Sequence, residues 1–458
     1  MTVKALAQAL GEGVAALEYA QLPPTAVSTA KIGFLDCMAV TVAGSMEPPV
    51  QILRKTLAAH RGAPEASLYL GTERMSAPDA AWINGTAGHV LDYDDFAHGH
   101  PSVVIVPAIL AEGEALNSSG IDLLTAYVAG YELWMDLVIR ERSSYQMKGW
   151  HPTPLIGSLA AAAACASLHK LDADRVASAL GIAAAQSSGI TASYGTMAKS
   201  MQVGKAAHTG VISARLAANG MTALPEVLDH EQGFLRAISP AGDVDLQRAP
   251  RIGEHWYIVD EGLSIKRYPA CYCGHRIIDA AIDLAAREKI DAAAIEKIEV
   301  SLSKIHASIL RNHKPQTGLA AKFSAEFAAA AAVLAGNVGL QEVNDDFVRR
   351  PEVQDLMGRV KVVENENYDP EALGFSVYDE VKVFMRGGAV LESERVRHPL
   401  GHAKRPLGID DLRRKFIDCM ATGNPALDAE RVFRDLQRME TLPSCRSLVT
   451  PAETAAAA

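Results

Sequence analysis

Residues 3 to about 250 carry apolar positions at the three-and-four spacing of amphipathic helices, one segment after another. The pattern predicts helices over residues 3–17, 26–43, 48–60, 76–95, 103–116, 122–142, 155–168, 174–186 and 205–219, with a short extended piece at 66–70. Pro23-Pro24, Gly44-Ser45 and Arg61-Gly62 supply the interruptions. Alanine, glycine and serine are dense in these segments, and Ala160 to Ala164 marks a helix expected to pack tightly at the centre. No internal repeat points to a solenoid.

After Trp256 the period changes. Residues 295–302, 359–363 and 379–385 alternate polar and apolar, as half-buried strands do. Gly387-Gly388 reads as a hairpin turn into a further strand at 389–393. Helical segments at 276–288 and 323–336 lie among them, and helical spacing resumes at 408–422 and 429–439. The expected fold is therefore mainly α. A large all-helical domain, residues 1–259 and 399–458, is split in sequence by a smaller α+β domain at 260–398. The last residues, 451–458, are expected to fray.

Composition narrows the partners. A 458-residue chain that is 49% hydrophobic affords a large core, and a net charge of −10 argues against nucleic acid or an anionic membrane as the main partner. A local cationic pocket for a small anion remains compatible with that balance. The N-terminal residues lack the apolar core of a signal peptide. The longest small and apolar run, 155–168, is too short to span a bilayer, so the chain is expected to be soluble and cytoplasmic. Six scattered cysteines do not suggest a disulfide framework. Cys271 and Cys273 form a C-x-C pair near His275, but a zinc site usually needs a second ligand pair, so no metal is expected there.

The densest chemistry lies between Gly88 and Ser102, where His89, Asp92, Asp94, Asp95, His98 and His100 fall within a dozen residues. Helical spacing would align His89, Asp92 and Asp95 on one face. Gly99 and Pro101 end the helix, leaving His100 on a loop able to turn back toward Asp92. A carboxylate orienting an imidazole is a common general acid/base pair. The same run also contains plausible metal ligands, and an Asp92/Asp95/His98/His100 cluster serving a metal-dependent hydrolase is the first competing reading. A non-catalytic binding protein on the same fold is the second.

The run Asp92-Tyr93-Asp94-Asp95 followed by His100-Pro101 resembles the MmgE/PrpD family. Four further segments resemble it in order: Gly149-Trp150-His151, Lys199 to Ala207, Lys266-Arg267-Tyr268-Pro269-Ala270-Cys271, and Lys322-Phe323-Ser324. Taken alone, His151 before Pro152 reads as a capping or packing histidine; a lysine such as Lys199 is usually solvated on its loop, but the apolar, small residues around it favour a lysine pointing into a pocket. The resemblance implies a large helical domain, a smaller α+β lid and an active site in the cleft between them. It implies a small polycarboxylate substrate, no cofactor and a homodimer. Known family activities are 2-methylcitrate dehydration, cis-aconitate decarboxylation and iminodisuccinate epimerisation, each a proton transfer next to a carboxylate by a lyase or isomerase. By residue, the resemblance implies proton transfer at His100, oriented by Asp92, with His151 as second acid or base. Lys199 and Lys266 would hold carboxylates, and Arg267, Tyr268 and Cys271 would line the substrate.

Four departures bear on the reaction. The Asp92-to-His100 spacing is short for the family, Phe96 follows Asp-Asp, Cys271 stands where the decarboxylase has histidine, and Asp136 stands where relatives commonly carry Arg. They point away from cis-aconitate decarboxylation and toward a dehydratase or epimerase of a related substrate. Phe327, where the family often has Tyr, reads as core.

Overall fold

The computed structural model describes residues 4–60, 62–372 and 374–449; the expected fraying at 451–458 lies outside them. The fold is mainly α. Two compact units emerge: Met1–Val90, Asp94–Leu263 and Gly408–Ala458 form one, and Leu91–Tyr93 with Ser264–Leu407 form the other.

The first unit is helical. Its elements are α1 (Leu6–Ala16), α2 (Pro24–Ala43), α3 (Pro48–Ala58), α4 (Ala77–Val90), α5 (Ser102–Leu116), α6 (Gly120–Val138), α7 (Pro152–Leu168), α8 (Ala173–Gln186) and α9 (Met197–Ala218). The expected extended piece is shorter than its pattern. It pairs as β1 (Ala66–Ser67) with β2 (Arg74–Met75), because Tyr69 and Leu70 turn the chain at positive φ, 52° and 60°. Helix α7 is the central rod, with Ala160 to Ala164 fully buried and α5, α6, α8 and α9 packed around it. Small residues allow this. A Cβ on Gly85 of α4 would lie 2.9 Å from the Gly204 Cα of α9, and one on Gly204 would run into the α4 backbone at Trp82 and Thr86.

Helix α2, continuing to Met46, is long and apolar enough to cross a bilayer by length, a property the sequence reading gave to no segment. It is a core helix, with 72% of its most apolar window buried. Asp36 in its middle pairs with Lys415 at 2.5 Å, both side chains buried. Lys415 belongs to the helix Ile409–Gly423, so the last part of the chain completes this unit. Backbone bonds from Gly120 to the Leu442 carbonyl (2.9 Å) and from Cys445 to the Ser118 carbonyl (2.8 Å) fasten it further.

The second unit is built on a four-stranded sheet. β3 (Ile295–Ser303) runs parallel to β4 (Val360–Asn365) and antiparallel to β5 (Glu380–Met385), which pairs with β6 (Val390–Glu392) across the Gly387-Gly388 turn. Strand order is β4-β3-β5-β6. Alternation in β3 and β5 buries Ile298, Val300, Leu302, Val381 and Val383. They share a core with the helices His275–Glu288 and Ala325–Ala335. Each such side chain contributes about 1.5–3 kcal/mol on burial. Phe327 sits in that core beside Phe347.

Among the helix boundaries that depart from the sequence pattern, two matter chemically. The helix expected over 76–95 stops at Val90, because Asp92 takes a left-handed backbone (φ 52°). Asp92 and Asp95 therefore do not extend a helical face from His89. Helix α9 starts at Met197, two turns before the expected residue 205, so Lys199 lies in its first turn and not on a loop, and its side chain is buried.

Candidate active site

The chain between α4 and α5 is a buried, strained loop. His98 has φ 59° and Gly99 φ 155°, and a Cβ on Gly99 would press on Trp134 at 2.8 Å. Only glycine fits there. Trp134 Nε1 donates to the Ala97 carbonyl (2.9 Å), and the Ala97 amide donates to the Gly99 carbonyl (2.8 Å). The Asp95 carboxylate accepts from the Ser102 hydroxyl and, at 3.4 Å, from the Ser102 amide, anchoring the loop to the start of α5. Burial pushes the Asp95 carboxyl well above the usual range, with the Asp36 charge adding to it.

This loop assembles a histidine cluster around Asp94. His89 Nδ1 meets Asp94 Oδ2 at 2.8 Å, and His100 Nδ1 lies 3.3 Å from the same oxygen and 2.7 Å from the Asp95 carbonyl. The His89 and His100 rings are 4.9 Å apart, and His89 and His151 are 5.8 Å apart. The carboxylate that orients His100 Nδ1 is thus Asp94, where Asp92 was expected. The reason is the left-handed turn at Asp92, whose side chain is engaged by Lys266.

His151 arrives from a different element. It caps α7, held extended by the following Pro152, and its amide donates to the Gly189 carbonyl at 3.0 Å. The parallel contact from the Thr191 amide to the Gly149 carbonyl (2.9 Å) zips residues 149–151 to 189–191. Gln202 of α9 completes the site. Its Oε1 accepts the Ile190 amide at 3.1 Å, so its Nε2 faces His151 Nδ1 at 2.7 Å.

These contacts assign opposite tautomers to the two rings. A carbonyl can only accept, so His100 Nδ1 carries the proton and the neutral ring presents a basic Nε2. An amide NH₂ can only donate, so His151 Nδ1 is an acceptor and its Nε2 carries the proton. One ring is set to take a proton and the other to give one.

Lys199 supplies the charge beside them. Its ammonium sits 5.7 Å from the Tyr194 ring centre, and the same ring lies 5.0 Å from His151. A lysine in the first turn of a helix adds to the positive end of the helix dipole, a costly arrangement for the free protein and a favourable one for a bound anion.

The second unit holds the remaining expected residues. Lys266 is fully buried and donates to Asp92 twice, to Oδ1 at 2.8 Å and to the carbonyl at 2.9 Å. The Tyr93 hydroxyl donates to the Arg267 carbonyl at 3.2 Å. Arg267 is partly exposed over the Tyr268 ring, while the Tyr268 hydroxyl donates to Asp279 at 2.6 Å within the core. Cys271 is half-buried. Asp136 is a buried i,i+4 partner of Arg140 at 2.7 Å.

The cluster of Asp92, Asp95, His98 and His100 on which the competing metal-dependent reading rests does not assemble as such. Asp95 is bonded to Ser102, Asp92 to Lys266, and His98 is partly exposed, 3.7 Å from Glu261. Among the described residues, the group with ligand atoms close enough to share an ion is His89, Asp94 and His100, within 4.8 Å of one another. In that group both histidines use Nδ1 as a hydrogen-bond donor to acceptor oxygens, the geometry of a proton network. His89, Asp94, Tyr194 and Gln202 were not singled out from sequence as site residues. Asp94 was visible as one of three acids in the run, whereas Gln202 carries no signal of its own.

A model of the MmgE/PrpD N-terminal domain matches residues 8–247, and one of the C-terminal domain matches residues 268–439. The cis-aconitate decarboxylase of Homo sapiens is 29% identical over 395 residues, 82% of this chain and 79% of its own. That of Aspergillus terreus is 27% identical over 370 residues, 76% of this chain and 74% of its own. A probable 2-methylcitrate dehydratase of Saccharomyces cerevisiae is 22% identical over 424 residues, 85% of this chain and 81% of its own. With both family domains matched in order along its length, the chain belongs to the MmgE/PrpD family.

Proposed function

We propose that the protein is a lyase acting on a short tricarboxylate, with His100 as base and His151 as acid. The observation that carries this is the pair of opposed tautomers, fixed by the Asp95 carbonyl on one ring and by Gln202 on the other. Eliminating water from a hydroxytricarboxylate needs a base for the proton next to a carboxylate and an acid for the departing hydroxide. His100 Nε2 takes the proton as imidazolium charge is offset by Asp94. His151 Nε2–H protonates the leaving oxygen. Negative charge growing on the neighbouring carboxylate is met by Lys199 and the start of α9. Lys266, held by Asp92, is assigned to a second carboxylate. No step in this scheme calls for a metal or an organic cofactor.

Decarboxylation is the second reading, favoured by the relatives named cis-aconitate decarboxylase. Their similarity weighs against excluding that reaction on the strength of Phe96, Cys271 and Asp136. It needs one proton donor after carbon dioxide departs, a role open to His151.

The test is proton NMR in D₂O with 2-methylcitrate, citrate, cis-aconitate, itaconate and iminodisuccinate. Expected is turnover of a tricarboxylate with deuterium entering next to a carboxylate. Release of carbon dioxide selects the second reading, and inversion of iminodisuccinate would select an epimerase. Absence of turnover and exchange on all five would overturn the proposal.

A further inference from the structure

One aromatic ring touches both of the groups assigned to the acid step and to a substrate carboxylate. The Tyr194 ring centre lies 5.0 Å from that of His151, with the two planes at 86°, and 5.7 Å from the Lys199 ammonium. Rings attract edge to face at that separation, and an ammonium is drawn to an aromatic ring within about 6 Å. His151 and Lys199 are buried and Tyr194 is half-buried; all three belong to the helical unit.

The chain around Tyr194 is tied at both ends. At its start, Ile190 forms a bridge with Trp150, and the Gly189 carbonyl accepts the His151 amide at 3.0 Å. Gln202 of α9 grips Ile190 twice, accepting from its amide at 3.1 Å and donating to its carbonyl at 3.2 Å. Residues 190–202 thus make a closed loop, with His151 fastened to one end and Lys199 carried on the other. Within it the Tyr194 amide donates to the Thr191 carbonyl at 3.0 Å, closing the 3₁₀ turn Thr191–Ser193. Gly195 then takes φ 78°, a turn that favours glycine. Thr196 reaches back to the Ser193 carbonyl with its amide at 3.1 Å and its hydroxyl at 2.7 Å, and the Lys199 amide donates to the Thr196 carbonyl at 3.2 Å. The backbone therefore leaves the ring one narrow place, beside both groups.

We propose that Tyr194 is a positioning residue whose ring holds the Lys199 ammonium and the His151 imidazole in fixed relation. The carboxylate bound by Lys199 and the leaving group protonated by His151 then sit on the substrate at a set separation. This rests on the roles given to His151 and Lys199 under the proposed function. An aromatic face suits the task, because it attracts an ammonium without neutralising it. A substrate carboxylate approaching Lys199 does not compete with it, as it would with a carboxylate partner. The gain is geometric: a displacement of about 1 Å can cost on the order of 10²-fold in rate.

The test compares Tyr194→Phe with Tyr194→Leu and Tyr194→Met in the full chain, with thermal melts as the control for folding. All three lack the hydroxyl, so the comparison isolates the ring. With the tricarboxylate found by NMR, KM should be about 5–30-fold higher for Leu and Met than for Phe, the worth of a cation–aromatic contact away from water. The kcat should be about 2–10-fold lower, the worth of an edge-to-face pair. A second measurement needs no substrate: acetic anhydride on the free protein, with acetylation of Lys199 read from its peptide mass. Lys199 should react at least about 5-fold faster in the Leu and Met variants than in Phe, since the ring no longer holds it. Equal KM and kcat in Phe and Leu would overturn the proposal, and so would equal acetylation. Failure to find a tricarboxylate substrate would remove the proposed function and leave the acetylation result to decide the contact, so the two failures read differently.

Discussion

Gln202 sets the proton position on His151: its side-chain NH₂ faces Nδ1 at 2.7 Å because its oxygen is held by the Ile190 amide. Reversing that polarity is a direct test. Gln202→Glu offers His151 an acceptor in place of a donor, moving the ring proton to Nδ1 and leaving no acid at Nε2. Turnover is expected to fall about 10²–10⁴-fold, the usual worth of a positioned acid or base. KM and the thermal melt should change little. Steady-state kinetics on the substrate found by NMR decides it; a kcat near wild type would remove His151 as the acid.

One oxygen of Asp94 accepts from His89 at 2.8 Å and lies 3.3 Å from His100 Nδ1. Asp94→Asn keeps the shape and removes the charge, so His100 loses the counter-charge for its imidazolium. A drop in kcat is expected, larger than that for His98→Ala, since His98 is partly exposed and lies outside the cluster. Exhaustive chelation should leave wild-type turnover unchanged. Activity lost to chelation and restored by a divalent ion would reassign His89, Asp94 and His100 as ligands.

The Lys266–Asp92 pair is buried on both sides. Removing one partner strands a charge away from water, at a typical cost of about 3–5 kcal/mol. Lys266→Met and Asp92→Asn should each lower the denaturant midpoint, and the double variant should regain part of the loss. Turnover should stay low in all three. Additive destabilisation in the double variant would show that the two side chains do not depend on each other.

Glu132 gives a pH dependence of stability. Its carboxylate accepts the Tyr257 and Ile258 amides at 2.9 Å, and burial raises it from 4.5 to about 7 against the pull of those bonds. Below the unfolded value it is protonated in both states and carries no penalty. Between about 4.5 and 7 the unfolded chain ionises first, so stability falls as pH rises, by on the order of 3 kcal/mol in all. Above that the contribution is flat. Glu132→Gln should remove this slope from the denaturation midpoint between pH 4.5 and 7; a slope identical to wild type would be the contrary result.

Gly204→Ala should destabilise by about 1–3 kcal/mol, since its Cβ meets the α4 backbone at Trp82 and Thr86 as well as the Thr86 hydroxyl. The same shift would displace Gln202 and Lys199 on α9, so catalysis should weaken with stability. Chemical denaturation and kinetics on the one variant measure both.

Local pattern sufficed where neighbours in sequence decide the structure. The alternation at 295–302 and the Gly387-Gly388 turn announce β3 and the β5–β6 hairpin, because strand faces and tight turns are short-range properties. Pattern failed where a distant group overrides it. The helix over 76–95 ends early because Asp92 is held by Lys266, 174 residues away. Assigning Asp92 to His100 followed from extending that helix, and with the turn in place the role passes to Asp94. Lys199 fell outside the helix expected from residue 205, whereas α9 starts at Met197 and Gly204 lies within it, where it lets α9 cross α4. Gln202 illustrates the limit: its importance lies in which way an amide faces, and no residue count encodes that.

The ion pair of Asp36 with Lys415 has a consequence for how the molecule is made. A ribosome delivers the acid nearly four hundred residues before its base, and the sheet-bearing unit emerges complete in between. The helical unit lacks this ion pair until the helix Ile409–Gly423 leaves the exit tunnel. Shortening the chain ahead of Lys415 removes this base from α2, so damage at the end of the helical unit is felt in its N-terminal helices.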